Sequence, residues 1–177
     1  RMVFIGKMDR ENADFQNVMA SLSERFGKQC VAINLPIGAE SDFSGIVNLL
    51  DPDGEIPEAL KDEAKAARER LIEAVAETDD DLATKYLEGE ALSQEDLAQG
   101  LRQGVASGAI VPVLSGAPAT GAGATELMDA IADYMPSPAE MAPASGTNPS
   151  SKEEVSLSCD TSGPLAALLF KTSADPF

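Results

Sequence analysis

The chain has 177 residues, of which 44% are hydrophobic, and it carries a formal charge of −17 from 30 acidic and 13 basic residues. That length suits one domain, or one domain and part of a second, and so acidic a surface argues against direct nucleic-acid binding. The chain has no histidine and two cysteines, Cys30 and Cys159. This composition argues against zinc sites, a disulfide framework and catalysis by a histidine base.

The first 35 residues predict a strand, a helix and a second strand. Residues 2–5 form a short apolar run of the kind found in buried strands. A helix is predicted to open at 12–14, because apolar residues then recur at helical spacing as far as Gly27, which is expected to end it. Residues 30–35 form a second apolar strand that Pro36 is expected to stop. Strand, helix and strand in succession are typical of a layered α/β protein.

The middle of the chain predicts one more strand and three helices. The strand covers 43–50 and is followed by a turn at 51–54. Pro57 suits the first turn of a long helix with one heavily charged face. Thr78 is the predicted N-cap of a short helix that Gly89 breaks. Ser93 opens the third helix through a capping box, and that helix is expected to end at Gly108.

The last third predicts a buried strand, a helix and the start of a new module. Pro112 lies inside the strand predicted at 109–114, which favours an edge position or a bulge. A small-residue loop at 115–123 leads into a helix whose apolar face is expected to comprise Leu127, Met128, Ile131 and Met135, with Pro136 as its stop. Residues 137–153 have the composition of a linker. Strands are predicted again at 155–157 and 165–171.

A lysine and an aspartate follow the first strand directly, in the sequence FIGKMDR. The ionised carboxylate of Asp9 is able to accept two hydrogen bonds at once, from the ring N–H and the exocyclic amine of guanine, whereas adenine presents the wrong edge. The aliphatic stem of Lys7 is able to lie along the base. Lysine and aspartate at this spacing also occur as an ordinary solvated surface pair, so the spacing alone leaves both interpretations open.

Several segments together resemble a known protein family. GKMDRENADF resembles the NKMDRENADF stretch of bacterial elongation factor G, a translational GTPase. The similarity continues through LPIGAESDFSGIVNLL, ETDDDLATKYLEGEALSQEDL, IVPVLSGA and LMDAIADYMPSP, and it reaches PLAALLFKTSADPF at the end of the chain. These segments span nearly the whole chain in the same order as in the family.

The resemblance implies an α/β fold containing the C-terminal part of a P-loop-type GTPase domain, an inserted α+β subdomain, and the first strands of a β-barrel second domain. The expected boundaries follow the chain from end to end. They are 1–27 for the guanine-motif strand and helix, 28–108 for the inserted subdomain, 109–136 for the last GTPase-domain strand, loop and helix, 137–154 for a linker, and 155–177 for the start of the barrel. The chain is thus expected to begin and end within larger domains.

The resemblance also implies a guanine-nucleotide site. It comprises the motif that the family writes NKxD and a second base-contacting loop in SGAP; the residues are Gly6, Lys7, Met8, Asp9, Ser115, Gly116 and Ala117. Two departures weaken it, since Gly6 replaces the asparagine of the motif and the Ser-Ala pair of the second loop falls on Ala117 and Pro118. The spacing between strand and helix near 50–56 is also shorter than in the family, which suggests a divergent paralogue, such as the second elongation-factor-G type or a related ribosome-associated GTPase.

The expected role is that of a part of a GTPase that acts on the ribosome in the cytoplasm, with GTP or GDP as ligand. The sequence has no Gly-x-x-x-x-Gly-Lys-Ser/Thr loop to hold phosphates. No catalytic residue and no metal ligand is therefore expected in this chain, and magnesium is expected only in a longer parent. Residues 28–108 are the expected contact for the ribosomal stalk protein. The alternatives are a ribosome-docking module with degenerate nucleotide binding, and a generic α/β scaffold with an accidental motif.

Overall fold

The computed structural model describes residues 1–51, 53–163 and 165–173. These residues divide into two compact units, one that ends at Met135 and one that begins at Pro136. Among these residues the strands are β1 Val3–Ile5, β2 Cys30–Ala32, β3 Asn34–Ile37, β4 Gly45–Asn48, β5 Val111–Ser115, β6 Ala144–Thr147 and β7 Glu154–Leu157. The helices are α1 Phe15–Phe26, α2 Lys61–Ala76, α3 Asp80–Leu87, α4 Gln94–Ser107 and α5 Ala124–Tyr134. The first unit is therefore a mixed α/β structure, as the sequence predicts.

A three-stranded parallel sheet with the order β1-β5-β2 forms the centre of the first unit. The prediction that Pro112 marks an edge or a bulge is wrong, because β5 is the middle strand. In the middle strand of a parallel sheet, the N–H and C=O of one residue point to one neighbouring strand, and those of the next residue point to the other. Val111 N–H donates to Gln29 O, and Val113 O accepts from Ile33 N–H, both on the β2 side. The backbone nitrogen of Pro112 therefore faces β1. The pairing of β1 with β5 begins only at Val3, which lies opposite Val113, so the missing N–H of Pro112 interrupts no hydrogen bond.

The apolar run at 30–35 forms two strands where the sequence predicts one. β2 joins the parallel sheet, and after Ile33 the chain enters β3, which pairs with β4 in an antiparallel hairpin. Pro36 does not stop this strand but lies inside it, opposite Ile46. Because a two-stranded hairpin leaves each strand with one free edge, a residue without an N–H is tolerated there.

Local capping signals account for most helix ends. Asp14 caps α1 by accepting a hydrogen bond from Asn17 N–H, and Gly27 follows the helix with φ 82°. The Ser93–Asp96 capping box at the start of α4 is present as predicted. The prediction of Thr78 as the cap of α3 is wrong by one residue, because the carboxylate of Asp79 accepts the two backbone N–H groups instead.

The hydrophobic core lies between the sheet and helices α1, α2 and α4. Leu71, Val75 and Leu101 are at most 1% exposed. Helix α4 approaches α2 closely at Gly100, where an added Cβ would lie 2.5 Å from Val75 Cγ1. The glycine is therefore required for close approach, which offsets its poor helix propensity.

Helix α5 buries a different face from the one predicted. Met128 and Ile131 are 62% and 48% exposed, whereas Ala130 is buried. Leu127 and Tyr134 contact the core while partly exposed. Helix α5 packs against α4, and the small side chain of Ala130 lies in the core. The position of the neighbouring helix thus outweighs the hydrophobicity of the methionine and the isoleucine in deciding which residue is buried.

The second unit contains the hairpin of β6 and β7. Strand β6 lies within the range 137–153, for which the composition predicts a linker. Serine, glycine and threonine also suit an extended strand when a partner strand follows, so composition alone did not distinguish the two. The described residues 165–173 form neither helix nor strand, contrary to the strand predicted at 165–171, and Leu165, Leu168 and Phe170 are highly exposed. Pro52 of the predicted turn and residues 174–177 lie outside the described ranges.

Among the described residues, no helix is both long enough and apolar enough to cross a membrane.

Candidate functional site

Two loops meet at one edge of the parallel sheet. Strands β1 and β5 run in the same direction with Ile5 opposite Ser115, so the segments that follow them leave the sheet side by side. Gly116 N–H donates to Ile5 O at 3.0 Å, and Met8 N–H donates to Gly116 O at 3.2 Å. These bonds join the Gly6–Asp9 segment to the loop that begins at Ser115. The structure thus brings the two predicted parts of the site together.

Lys7, Met8 and Asp9 have three different environments. Met8 is 1% exposed and belongs to the core, which fixes the middle of the segment. Lys7 is exposed and has a left-handed backbone with φ 63°. The Asp9 side chain is 22% exposed, and Arg10 Nε lies 3.8 Å from Asp9 Oδ2. A contact of that length to a highly exposed arginine is weak, so the Asp9 carboxylate keeps acceptor capacity for a ligand.

Gly6 lies beside Pro118 of the second loop. An added Cβ at Gly6 would lie 3.6 Å from Phe4 Cε1 and 4.0 Å from Pro118 Cδ, both ordinary van der Waals distances. The backbone of Gly6 is outside the left-handed region. Neither the space for a Cβ nor the backbone conformation therefore requires glycine here.

Ser115 is fully buried and is engaged by Asn34 in strand β3. Ser115 N–H donates to Asn34 Oδ1 at 2.7 Å, Ser115 Oγ donates to the same oxygen at 3.0 Å, and Asn34 Nδ2 donates to Ser115 O at 3.2 Å. The Ser115 side chain is therefore a support for the loop and does not face a ligand. Sequence reasoning missed Asn34, although a lone amide within the apolar run at 30–35 was a signal.

The backbone of the second loop is largely used within the loop itself. Ala117 is buried, its N–H donates to Ala122 O at 2.9 Å, and its carbonyl accepts from Thr120 N–H and Oγ1. Pro118 has no N–H to offer. Gly116 already bonds with β1 and Met8. The loop consequently presents few free donors at this edge, and the polar groups of the site come mainly from Lys7 and Asp9.

Two cavities lie near the site but do not coincide with it. One, of about 650 Å³, has a lining that includes Met8, Asn12 and Glu40. The other, of about 490 Å³, lies between α1 and α2 over β2, and its lining includes Cys30 and Arg70. Neither lining includes Lys7, Asp9 or Ala117. The hydrogen-bonding groups at the edge where the two loops meet therefore lie outside both cavities.

Among the described residues, no group of three cysteine, aspartate or glutamate side chains is arranged to hold a metal ion. Of the two cysteines, Cys159 is exposed and Cys30 is buried, and burial raises the pKa of the Cys30 thiol. The groups at the two-loop edge are suited to binding a polar planar ligand by hydrogen bonds.

No family model matches the chain. Among solved structures, the chain is similar to the crystal structure of ttk003000868 from Thermus thermophilus, with a TM-score of 0.69 and 25% sequence identity. The match covers 81% of this chain and 24% of the Thermus chain. The chain thus spans about a quarter of the length of the Thermus protein, and the similarity is consistent with the mixed α/β fold.

Proposed function

We propose that this chain is the guanine-recognising part of a translational GTPase of the elongation factor G type, which acts on the ribosome in the cytoplasm. The observation that carries the proposal is the position of Lys7 and Asp9, at the carboxyl end of β1 and beside the Ser115–Ala117 loop. The fold implied by this proposal is the C-terminal part of a P-loop-type GTPase domain, followed by the start of a β-barrel.

The chemistry of the site fits a guanine base. The partly exposed Asp9 carboxylate has two oxygens for the ring N–H and the exocyclic amine, and charge-assisted hydrogen bonds of this kind contribute about 1.5–3 kcal/mol each. Lys7 is exposed, so its stem is available to pack along the base. Polar pairing of this type discriminates strongly against a base that leaves the pair unmade.

The fit extends to the base but not to the phosphates of GTP or GDP. The sequence lacks the glycine-rich loop with lysine that holds phosphates. This chain is therefore proposed to supply recognition of the base, and phosphate binding and hydrolysis are assigned by the proposal to other parts of a longer parent protein.

A base-recognition assay on the 177-residue chain tests the proposal. The ¹⁵N-labelled protein is titrated with GMP and, separately, with AMP, and the dissociation constants come from amide shifts. We expect GMP to bind more tightly, with the largest shifts in 6–9. Asp9→Asn replaces one carboxylate oxygen, an acceptor, with an amide NH₂ group, a donor. The variant is expected to weaken GMP binding by about tenfold or more and to leave the affinity for AMP unchanged.

The matched control is Asp129→Asn on exposed helix α5, which changes the charge equally and is expected to leave GMP binding unchanged. Equal affinities of the wild type for GMP and AMP would contradict the proposal, as would an Asp9→Asn variant that keeps the wild-type preference.

A ribosome-docking module with degenerate nucleotide binding is the second candidate. It is favoured by the internal use of the Ala117 N–H and by Pro118, which leave the second loop poor in donors. It is also favoured by the acidic first turns of α2 and α3, within the predicted stalk contact 28–108. Salt-sensitive association with the ribosomal stalk protein, together with no preference for GMP, would support this candidate over the first.

A further inference from the structure

Glu40 makes two hydrogen bonds to the segment that carries Lys7 and Asp9. It begins a short 3₁₀ turn, Glu40–Asp42, in the connection between β3 and β4. Its backbone N–H donates to Met8 O at 2.8 Å, and its side-chain Oε1 accepts from Asn12 N–H at 2.6 Å. One residue thus contacts the segment on either side of Asp9, at positions 28 or more residues earlier in the chain.

The backbone around these bonds adopts conformations that need support. Lys7, Asn12 and Glu40 are non-glycine residues with φ between 54° and 65°. Left-handed residues of this kind persist where surrounding contacts hold them, and they cluster at functional sites. All three lie at or next to the two Glu40 bonds. The contacts of Glu40 therefore add to the support of the segment 7–12 that the bonds from Met8 N–H to Gly116 O and from Arg10 N–H to Lys7 O also supply.

The turn before Glu40 is built to bring it to this place. Gly38 has φ 75°, and an added Cβ would lie 2.3 Å from Asp42 O. Only glycine fits such a turn. Ser44 N–H donates to Ile37 O and closes the connection at its base. The hairpin of β3 and β4 thus restricts the position of Glu40 through contacts of its own.

We propose that Glu40 is a positioning residue for guanine recognition, which holds the Lys7–Asp9 segment in the conformation that presents the Asp9 carboxylate to the base. This inference rests on the proposed function for its link to guanine. It makes the hairpin of β3 and β4 part of the recognition apparatus, although the Glu40 side chain itself does not touch the base.

Two variants separate the side-chain bond from the rest of the turn. Glu40→Ala removes the acceptor for Asn12 N–H, whereas Glu40→Gln keeps an acceptor oxygen at nearly the same place. The matched control is Asp42→Ala, which removes an exposed carboxylate from the same 3₁₀ turn. Glu40 is exposed, so these variants are expected to fold, which the amide spectrum verifies.

Two readouts are measured on the ¹⁵N-labelled chain. The first is the hydrogen-exchange rate of the amides of Met8, Asp9 and Asn12 without any ligand. The second is the ratio of the AMP and GMP dissociation constants. We expect Glu40→Ala to speed exchange at Asn12 about tenfold and to lower the ratio about fivefold, through loss of one hydrogen bond to a charged acceptor. Glu40→Gln is expected to restore both to within about twofold, and Asp42→Ala to change neither.

The outcomes for the two proposals are distinguishable. If the wild type shows no preference for GMP but Glu40→Ala speeds exchange in 8–12 and Glu40→Gln restores it, the proposed function fails and the positioning of the segment by Glu40 stands. If exchange and preference are the same in Glu40→Ala and the wild type, or if Glu40→Gln behaves like Glu40→Ala, the positioning role of the side chain is overturned.

Discussion

Replacing Gly6 by asparagine is expected to strengthen guanine binding. The added Cβ would lie no closer than 3.6 Å to Phe4 and 4.0 Å to Pro118, and the backbone at Gly6 is not left-handed. The Cβ of the new residue therefore meets only ordinary van der Waals contacts, and the backbone needs no left-handed conformation. The new amide adds a donor and an acceptor at the edge where the two loops meet, in the place that asparagine would occupy in the proposed guanine motif.

The size of the effect follows from the number of bonds that the amide is able to make. One or two neutral hydrogen bonds contribute about 1 kcal/mol each, so we expect GMP to bind about 5- to 30-fold more tightly to Gly6→Asn than to the wild type. AMP binding should not change, because the gain depends on a base held by Asp9. Titrations of the ¹⁵N-labelled chain followed by amide shifts measure both affinities.

Gly6→Ala is the matched control. It adds the same Cβ and reduces the entropy of the unfolded chain, which stabilises the fold by about 0.4–1 kcal/mol, but it adds no polar group. Urea unfolding measures that part separately. A Gly6→Asn variant that binds GMP no better than Gly6→Ala would refute the reasoning, because the gain would then not come from the amide.

Three further changes test the packing and electrostatics of the fold. Asn34→Ala removes the three hydrogen bonds with buried Ser115. It is expected to lower the free energy of unfolding, measured in urea, by about 2–4 kcal/mol. A loss no larger than that of a surface substitution would contradict the role of Asn34 in supporting the loop at Ser115. Gly100→Ala forces a Cβ to within 2.5 Å of a valine side chain of α2. We therefore expect a net loss of about 1 kcal/mol in the free energy of unfolding, despite the better helix propensity of alanine. A gain in stability towards urea would contradict the close contact between α4 and α2. The hydrogen bond from Lys85, followed by those from Ser93, lowers the pKa of Asp96 from 3.8 to about 2. A lowered pKa in the folded state means that this stabilisation is complete above pH 3.8 and disappears as pH falls towards 2, so acid unfolding followed by circular dichroism should show a weaker pH dependence in Asp96→Asn, and an unchanged profile would contradict it.

Local patterns predicted the elements whose ends are set by nearby residues. The apolar spacing of α1, its stop at Gly27 and the capping box of α4 all depend on contacts within about four residues, and the structure shows each of them. The spacing of Lys7 and Asp9 after β1 was likewise read directly from the sequence. The parallel pairing of β1 and β5 brings this segment beside the second loop, and no local pattern specifies that pairing.

Features that depend on distant partners were not predicted. The contacts between Asn34 and Ser115 join residues 81 apart, and that between Asn12 and Glu40 joins residues 28 apart. The burial of Ala130 in place of Met128 depends on where α5 packs. In each case the sequence offers a residue able to make the contact but does not identify its partner.

The missing N–H of Pro112 restricts how β1 is able to slide along β5. Moving β1 by two residues towards the amino end of β5 would preserve the alternation of its side chains, but the new pairing would require a donor at Pro112, which has none. A shift in that direction therefore breaks a rung of the ladder, whereas the observed alignment breaks none. The proline therefore disfavours that shift, and with it a change in the level at which Lys7 and Asp9 leave the sheet.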